Sequence, residues 1–184
     1  LYSAIYGNQT IRALTQASLG FFQSPPPGLA AQPLLRRRDT LFLVGAGQQA
    51  HADAFRAADV RERTRCIGVD EVMARVPVLQ RDRVANAVLD EGSADIDVDA
   101  LLQGFLRQAR SQGASLMLDT RLRSLERGGA GWEARTEAGG CWRAPVVVNA
   151  AGAWADAVAA LAGIPAVPLQ PLRRTAVLVD VPGG

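Results

Sequence analysis

Small residues directly follow an apolar run at VVVNAAG, residues 146–152. Three consecutive valines predict a strand that is buried on both faces, as in a parallel sheet covered by helices. The alanine-rich segment after Gly152 predicts a helix that begins at the carboxyl edge of this strand. At such an edge, small side chains let backbone N–H groups and the positive end of the helix approach an anionic ligand. The stretch therefore predicts either a nucleotide-binding corner or an ordinary strand-to-helix connection.

A second glycine-containing stretch, FLVGAGQQA at residues 42–50, imitates a dinucleotide-binding fingerprint. Glycines at 45 and 47 would admit a pyrophosphate, and Asp70 at the end of a later strand would bind a ribose hydroxyl. However, the preceding strand is short and the following helix is polar on most faces. We therefore favour a surface strand and loop over a dinucleotide site.

Three alternating aspartates, Asp95, Asp97 and Asp99, imitate the opening of a calcium-binding loop. Ala100 stands where that loop needs glycine, and Leu106 stands where it needs a bidentate glutamate. We therefore predict acidic residues in the first turn of a helix, where the helix dipole favours them.

Two arginine clusters are candidate anion contacts. For residues 36–38 we favour a solvated loop, with an anion contact as the alternative. Arg173 and Arg174 precede the last predicted strand and could also be solvated. Alternatively, one of them could hold a carboxylate by two parallel, charge-assisted hydrogen bonds.

Composition excludes several classes of function. The 184 residues are 48% hydrophobic and carry 20 basic against 18 acidic residues, so the balance of charge does not indicate a nucleic-acid partner. Cys66, Cys141 and the single histidine, His51, indicate neither a disulfide framework nor a metal site. No apolar run is long enough for a membrane span, and no signal peptide opens the sequence. We predict a cytoplasmic protein with no bound metal.

Hydrophobic periodicity and turn residues predict the elements that would position these groups. Asp97 is the predicted N-cap of the clearest helix, and Gly113 its C′ residue. The predicted helices are 8–23, 50–60 and 96–113, and within 67–77 a short strand or turn is followed by a helix that ends before Pro77. The predicted strands are 41–44, 115–118, a three-stranded meander within 120–144, 146–148 and 173–181. The sequence begins without methionine and ends on a strand, from which we expect a fragment that lacks N- and C-terminal parts of its own chain.

Six segments together resemble a known family more specifically than any single motif does. They are YSAIYGNQTIRALTQAS at 2–18, SPPPG at 24–28, PVLQRDRV at 77–84, ADIDVDALLQGFLR at 94–107, VVNAAGAWADAVAALAG at 147–163 and LQPLRRTA at 169–176. In this order they resemble the FAD-dependent glycine and D-amino-acid oxidase family, and within it most closely the bacterial D-arginine dehydrogenases. The resemblance covers nearly the whole chain.

The resemblance implies an α/β (mixed α+β) fold. A partial FAD-binding domain with a three-layer sheet would be joined to part of a sheet-rich substrate domain of the D-amino-acid oxidase type. Residues 1–29 would form a helical segment on the FAD side, and residues 94–164 part of the FAD-binding domain. Residues 30–93 and the strand within 165–184 would belong to the substrate domain.

The resemblance also implies site residues. The residues implied to lie beside FAD are Leu1, Leu122, Ala150, Ala151, Gly152 and Trp154. The residues implied to contact a small-molecule amino-acid substrate are Tyr6, Arg174 and Thr40. For Tyr6 the alternative is an aromatic residue at a helix edge that lies half in the core.

Two of these positions depart from the family. Leu1 stands where the family enzyme has a histidine beside flavin and substrate. Thr40 stands where it has a glutamate that binds a guanidinium group, which makes arginine doubtful as a substrate unless Asp39 substitutes. No catalytic base is assigned.

The implied activity is FAD-dependent oxidation of the CH–NH2 group of a D-amino acid. Hydride transfer to flavin would give an imino acid, which water hydrolyses to an oxo acid and ammonia. The family's GxGxxG turn would precede Leu1 and its flavin-capping segment would follow Gly184. The alternative is therefore a truncated or degenerate non-catalytic domain that does not bind flavin alone.

Overall fold

The computed structural model describes residues 1–57, 64–173 and 175–178. The chain divides into two compact units, Leu1–Ser115 and Leu116–Gly184. The elements of the first unit are α1 (Gln9–Ala17), α2 (Leu19–Gln23), β1 (Leu35–Arg37), β2 (Thr40–Val44), α3 (Gln49–Ala57), β3 (Thr64–Gly68), α4 (Val69–Arg75), a 3₁₀ turn (Arg81–Arg83), β4 (Asn86–Asp90), β5 (Ala94–Ile96) and α5 (Val98–Ser111). Those of the second are β6 (Leu122–Gly128), β7 (Gly131–Thr136), β8 (Cys141–Ala144), a 3₁₀ turn (Gly152–Trp154) and α6 (Ala155–Leu161).

Strand β4 is the centre of the main sheet of the first unit, which has the order β2-β4-β3 with antiparallel neighbours on both sides. Its side chains alternate between two cores, as the pleat requires. Ala87 and Leu89 pack with Val72 of α4 on one face. Val88 packs with Ala52 of α3 on the other. Because both faces are covered, β4 is held rigidly up to its last residue, Asp90.

A smaller sheet pairs β1 with β5 and is extended by the N-terminal segment. The Tyr2 N–H donates to the Ala94 carbonyl at 2.7 Å, and the Ala94 N–H donates to the Tyr2 carbonyl at 3.0 Å. Tyr2 is 2% exposed and its ring meets Phe22 of α2 edge to face. The segment before α1 is therefore anchored in the fold.

The predicted single helix over 8–23 is two helices. Ser18 separates α1 from α2, and its hydroxyl donates to the Leu14 carbonyl at 2.8 Å. Serine that bonds back to the preceding turn competes with the regular helix pattern and bends the chain. The prediction was correct for the helical content and wrong for continuity.

The helix α5 forms as predicted. The Asp97 carboxylate accepts from the Ala100 N–H at 2.8 Å, and Gly113 has a φ of +87° just beyond the helix end. Asp95 forms ion pairs with Arg36 and Arg38. The predicted acidic start of the helix is thus correct for the Asp97 cap and for Asp99 in the first turn, whereas Asp95 lies in β5, outside the helix.

The glycine stretch after β2 is not a dinucleotide fold. In such a site the two parallel strands joined by the helix are neighbours in the sheet, whereas β4 lies between β2 and β3 and is antiparallel to both. Gly45 donates its N–H to the Gln48 side chain at 2.9 Å, which closes the turn internally. The favoured interpretation of a strand and loop is confirmed.

Two predicted apolar strands are absent. Residues 115–118 and 146–148 belong to no strand, and Val146 and Val148 are 71% and 82% exposed. Valine favours a strand only where neighbouring strands supply hydrogen bonds and a covering surface. The sheets of the described residues are all antiparallel and do not include these segments, so the predicted buried parallel strand is wrong for this chain.

The meander of the second unit is confirmed as the antiparallel sheet β6-β7-β8. Gly131 begins β7 with a φ of +129°, and a Cβ there would lie 2.6 Å from the Ala144 carbonyl oxygen. Of the strand predicted at 173–181, Arg174 and residues 179–181 lie outside the described residues, and 175–178 have no regular secondary structure.

An ion-pair cluster joins β3 to α4. Two hydrogen bonds from Arg65, at 2.6 and 3.1 Å, and one from Arg75 at 3.2 Å reach the Glu71 carboxylate. The Arg65 guanidinium, with Arg75 adding to it, holds the pKa of the Glu71 carboxyl below its ordinary value of 4.5. These groups are exposed, so solvent screening keeps their contribution small.

We expect Glu71→Gln to lower Tm slightly at neutral pH. A depressed folded-state pKa gives stability that is fully present above 4.5 and is lost as the pH falls through the lowered value. The Tm difference between wild type and variant should therefore shrink toward zero as the pH falls below 4.5 and through the lowered pKa of Glu71. A difference that stays constant over this range would contradict the assignment.

Candidate functional site

The predicted cofactor corner is a tight turn held by Asn149. Its side-chain oxygen accepts from the Ala151 N–H at 3.2 Å, and its amide donates to the Ala155 carbonyl at 2.8 Å. The Trp154 N–H closes the turn by donating to the Ala151 carbonyl at 3.0 Å. Gly152 has a φ of +56°, in the region that favours glycine. Asn149 thus determines where the valine run ends and α6 begins.

This corner is open. Ala150 and Gly152 are exposed, and Trp154 is 71% exposed. A Cβ built on Gly152 would meet no atom within 4 Å. The side chains of the described residues therefore do not fill the space beside Gly152, and the exposed backbone has the small side chains that a bulky anionic group such as a dinucleotide needs for close approach.

The other predicted cofactor residues lie in different units. Leu122 is the first residue of β6, half-buried and paired with Thr136. Leu1 belongs to the first unit and is 58% exposed. Their contacts with a cofactor remain predictions.

Tyr6 lies in a turn whose position is fixed by a buried hydrogen bond. The Tyr6 N–H donates to the Ser3 carbonyl at 3.5 Å, and the Ser3 hydroxyl donates to Asp90 Oδ2 at 3.0 Å. Tyr6 itself is 44% exposed. This exposure is compatible with both the contact role and the half-buried alternative, so the role of Tyr6 stays a prediction.

Thr40 joins the same network from the strand next to Asp90. It begins β2 and is the antiparallel partner of Asp90. Its Oγ1 lies 2.8 Å from Ser93 Oγ. Ser93 is buried and also contacts the backbone carbonyls of Arg38, at 2.7 Å, and Asp90, at 3.0 Å. Hydrogen bonds within the first unit therefore link the turn that carries Tyr6 to Thr40.

Asp39 is already engaged. It forms ion pairs with Arg37 at 3.5 Å and with Arg75 at 3.8 Å. The expectation that Asp39 might replace the missing glutamate is therefore not supported, because two cations already neutralise it.

The basic cluster at 36–38 is solvated as predicted, with the Arg36, Arg37 and Arg38 side chains 87%, 73% and 57% exposed, but it is not a loop. Arg36 and Arg37 lie in β1, and all three arginines have a carboxylate partner in Asp39 or Asp95. Paired arginines of this kind offer little unsatisfied charge to an external anion.

Arg174, the predicted carboxylate clamp, lies outside the described residues. Among the residues that the structure describes, no group of His, Cys, Asp or Glu could hold a metal ion. Cys66 and Cys141 are unbonded and exposed. Over the same residues, no helix is both long and apolar enough to cross a membrane.

Sequence reasoning missed Ser3, Asp90 and Ser93. Ser3 and Asp90 are 87 positions apart, and Thr40 and Ser93 are 53 apart. No local pattern indicates that these side chains meet. The available signal was a polar Asp90 at the end of an otherwise apolar strand, because a carboxylate there must find hydrogen-bond donors.

A family model described as DAO, FAD dependent oxidoreductase, matches residues 3–184. The chain belongs to this family. Its members use FAD, and the chain has a mixed helix-and-sheet structure that matches the FAD-dependent oxidoreductase fold. The open turn at Ala150–Gly152 is compatible with that cofactor.

Solved structures share the DAO fold at low identity. L-proline dehydrogenase from P. horikoshii is 19% identical with a TM-score of 0.69, covering 88% of this chain and 44% of that one. Glycine oxidase from Geobacillus kaustophilus is 20% identical with a TM-score of 0.71, covering 88% and 45%. L-alpha-glycerophosphate oxidase from Mycoplasma pneumoniae, with FAD bound, is 15% identical with a TM-score of 0.69, covering 87% and 44%.

The chain thus spans less than half the length of the solved structures to which it is similar. These proteins are named for different substrates, so the shared fold does not by itself identify the substrate of this chain.

Proposed function

We propose that this chain is part of an FAD-dependent oxidoreductase that oxidises the CH–NH2 group of a D-amino acid. The observation that carries the proposal is the family match over residues 3–184. The ordered resemblance of six segments to D-amino-acid oxidising enzymes supports the choice of substrate class. Two of the similar solved structures are an L-proline dehydrogenase and a glycine oxidase, which supports an amino acid as the substrate.

In the proposed reaction the substrate loses two electrons and two protons. The amine nitrogen loses a proton and forms a C=N bond with Cα, and the Cα hydrogen departs with its electron pair. Water then adds to the imino acid and releases ammonia, leaving the oxo acid. When bound, FAD supplies the two-electron acceptor.

The residues of this chain would bind and orient the substrate. Arg174 would hold the substrate carboxylate through its planar fork. The exposed ring of Tyr6 would form an aromatic wall beside Cα, and Thr40 would contact the substrate side chain. Holding the reacting carbon in this way lowers the activation barrier, because the substrate loses its translational and rotational entropy on binding and not in the chemical step.

The cofactor residues are those that the resemblance implies, and the open corner is compatible with four of them. Ala150, Ala151, Gly152 and Trp154 would lie beside the FAD nucleotide, with Leu122 and Leu1 as further contacts. The alternative of a degenerate domain that does not bind flavin is not favoured, because the match to the FAD-dependent family covers nearly the whole chain.

The test of the activity uses the full-length protein that contains this chain. We expect a yellow protein whose flavin is bleached anaerobically by D-amino acids and which releases ammonia and the corresponding oxo acid. L-enantiomers serve as controls. A flavoprotein that no amino acid reduces would contradict the proposal.

A second experiment tests the corner. Ala150 is exposed, so Ala150→Leu should leave the Tm of the flavin-free protein unchanged while weakening FAD binding by about tenfold or more through steric exclusion. Ala160→Leu, at an exposed position of α6, is the matched control and should bind FAD normally. Equal FAD affinity in both variants would remove Ala150 from the cofactor site.

A further inference from the structure

A cavity in the first unit lies beside the smaller sheet. Its volume is about 540 Å³, within the range of small-molecule sites, roughly 300–1,000 Å³. Its apolar walls come from Leu19 and Phe22 of α2, Leu35 of β1 and Ala94 of β5. The residues that the resemblance assigns to substrate or FAD are not among the described residues that line it. The cavity is therefore a candidate site of its own.

The Tyr2 side chain forms part of the cavity wall. Tyr2 makes an antiparallel bridge with Ala94, and Ala94 is also the register partner of Arg37. Residues that lie opposite each other in antiparallel strands place their side chains on the same face of the sheet. Leu19 and Phe22 pack on this face. The Tyr2 side chain is thus directed between the sheet and α2, where the cavity lies.

The Tyr2 hydroxyl is buried, and among the described residues it has no hydrogen-bond partner. Tyr2 is 2% exposed, so bulk water does not take the place of that partner. A phenol hydroxyl both donates and accepts hydrogen bonds, and leaving one unpaired away from water costs free energy. A ligand in the cavity that supplies the missing partner removes this cost.

The charged groups around the cavity have no excess of either sign. One cation, Arg37, and one anion, Glu91, are among the described residues that line it. Arg37 Nε lies 3.5 Å from Asp39, and Glu91 lies 3.5 Å from Arg65 Nε. An ion in the cavity would lose its water without gaining a net opposite charge. An uncharged molecule carries no such cost, and the apolar walls favour its binding through the hydrophobic effect.

We propose that this cavity binds a small uncharged molecule with an apolar body and one carbonyl oxygen, which accepts a hydrogen bond from the Tyr2 hydroxyl. A carbonyl is the favoured partner because a phenol shares its oxygen lone pair with the ring, which makes it a better donor than acceptor. The apolar body lies against Phe22 and Leu35. The proposal does not depend on the proposed function, because it uses none of the residues assigned to substrate or FAD.

The experiment compares four planar probes of the same shape on the full-length holoenzyme. Acetophenone carries the carbonyl oxygen, and α-methylstyrene has a methylene group in its place. Benzoate and benzamidine have the same outline with a negative and a positive charge. Dissociation constants for all four are measured by ligand-observed NMR.

We expect the wild type to bind acetophenone about fivefold more tightly than α-methylstyrene, the difference that one hydrogen bond makes. Acetophenone should also bind more tightly than either charged probe. In Tyr2→Phe the ratio between acetophenone and α-methylstyrene should fall to about one, because the donor is lost. Both neutral probes should still bind, since the apolar walls are unchanged.

The matched control is Tyr6→Phe, the same substitution at the other tyrosine of the chain. Tyr6 is 44% exposed and is not among the described residues that line the cavity. The ratio should therefore stay at about five in Tyr6→Phe. A ratio that falls in Tyr6→Phe and not in Tyr2→Phe would place the probes at the proposed substrate site and overturn the inference.

A second measurement does not depend on the probes. The Tm of Tyr2→Phe without ligand should equal or exceed that of the wild type, because the variant removes a buried hydroxyl that has no partner. A fall of about 3 °C or more would show that the hydroxyl already has a partner in the full-length protein, and it would overturn the inference. Equal binding of acetophenone and α-methylstyrene by the wild type, tighter binding of a charged probe, or no binding of any probe would do the same.

Discussion

Replacing Arg174 by leucine in the full-length holoenzyme is expected to raise KM for the amino-acid substrate by about 100-fold or more. In the proposed site Arg174 would donate two charge-assisted hydrogen bonds to the substrate carboxylate, each worth about 1.5–3 kcal/mol when shielded from water, and leucine would donate none. Binding to the variant would carry a further cost in free energy, because the substrate carboxylate would lose its water without gaining a cationic partner. The measurement is steady-state kinetics across a range of substrate concentrations.

Arg173 provides the matched control for this prediction. It is the neighbouring arginine and is exposed, so Arg173→Leu removes the same charge from the same segment and should change KM little. Arg174→Lys separates charge from geometry, since a lysine keeps the charge but not the planar fork. An unchanged KM in Arg174→Leu would remove Arg174 from the substrate site and leave the carboxylate without an assigned partner.

Replacing Gly104 by alanine is expected to destabilise the protein by about 2–3 kcal/mol, although alanine normally favours a helix. Gly104 is buried within α5, and a Cβ there would lie 2.2 Å from the Leu29 carbonyl oxygen. That oxygen also accepts from Arg107 at 2.9 Å, so it is fixed in position. The clash is with backbone, and relief requires α5 to move away from the Leu29 segment.

The control for Gly104 is Gly20, a helical glycine in α2 whose Cβ would meet no atom within 4 Å. Gly20→Ala should be neutral or stabilise by up to about 1 kcal/mol. Thermal or denaturant unfolding of both variants gives the comparison, and a fall of about 5–10 °C in Tm is expected for Gly104→Ala alone. Equal Tm values would show that α5 does not approach Leu29 this closely.

The resemblance and the structure contribute different kinds of knowledge about the site. The ordered segments indicated the FAD-dependent family, which the match over residues 3–184 confirms. The same comparison of segments indicated that Thr40 stands where the family enzyme has a glutamate. The 2.8 Å contact between Thr40 Oγ1 and Ser93 Oγ could only be found from the coordinates.

Local sequence patterns were sufficient to predict the structural elements that residues close together in the chain form. The Asp97 cap, the end of α5 near Gly113, the meander of β6, β7 and β8, and the tight turn after Asn149 all follow from residues a few positions apart. In each case side chain and backbone interact within one turn of chain, so a short pattern contains the whole interaction.

Strand formation and buried hydrogen bonds depend on residues that are far apart in sequence, and only the folded chain brings these residues together. Val146–Val148 has strand-forming side chains but lies exposed, because a strand exists only beside another strand. Asp90 became the centre of a buried network because β4 places it beside Ser3 and Thr40, residues that are far from it in sequence. Burial of a carboxylate is tolerated only where hydrogen-bond donors converge on it, and that convergence arises from the packing of separate elements.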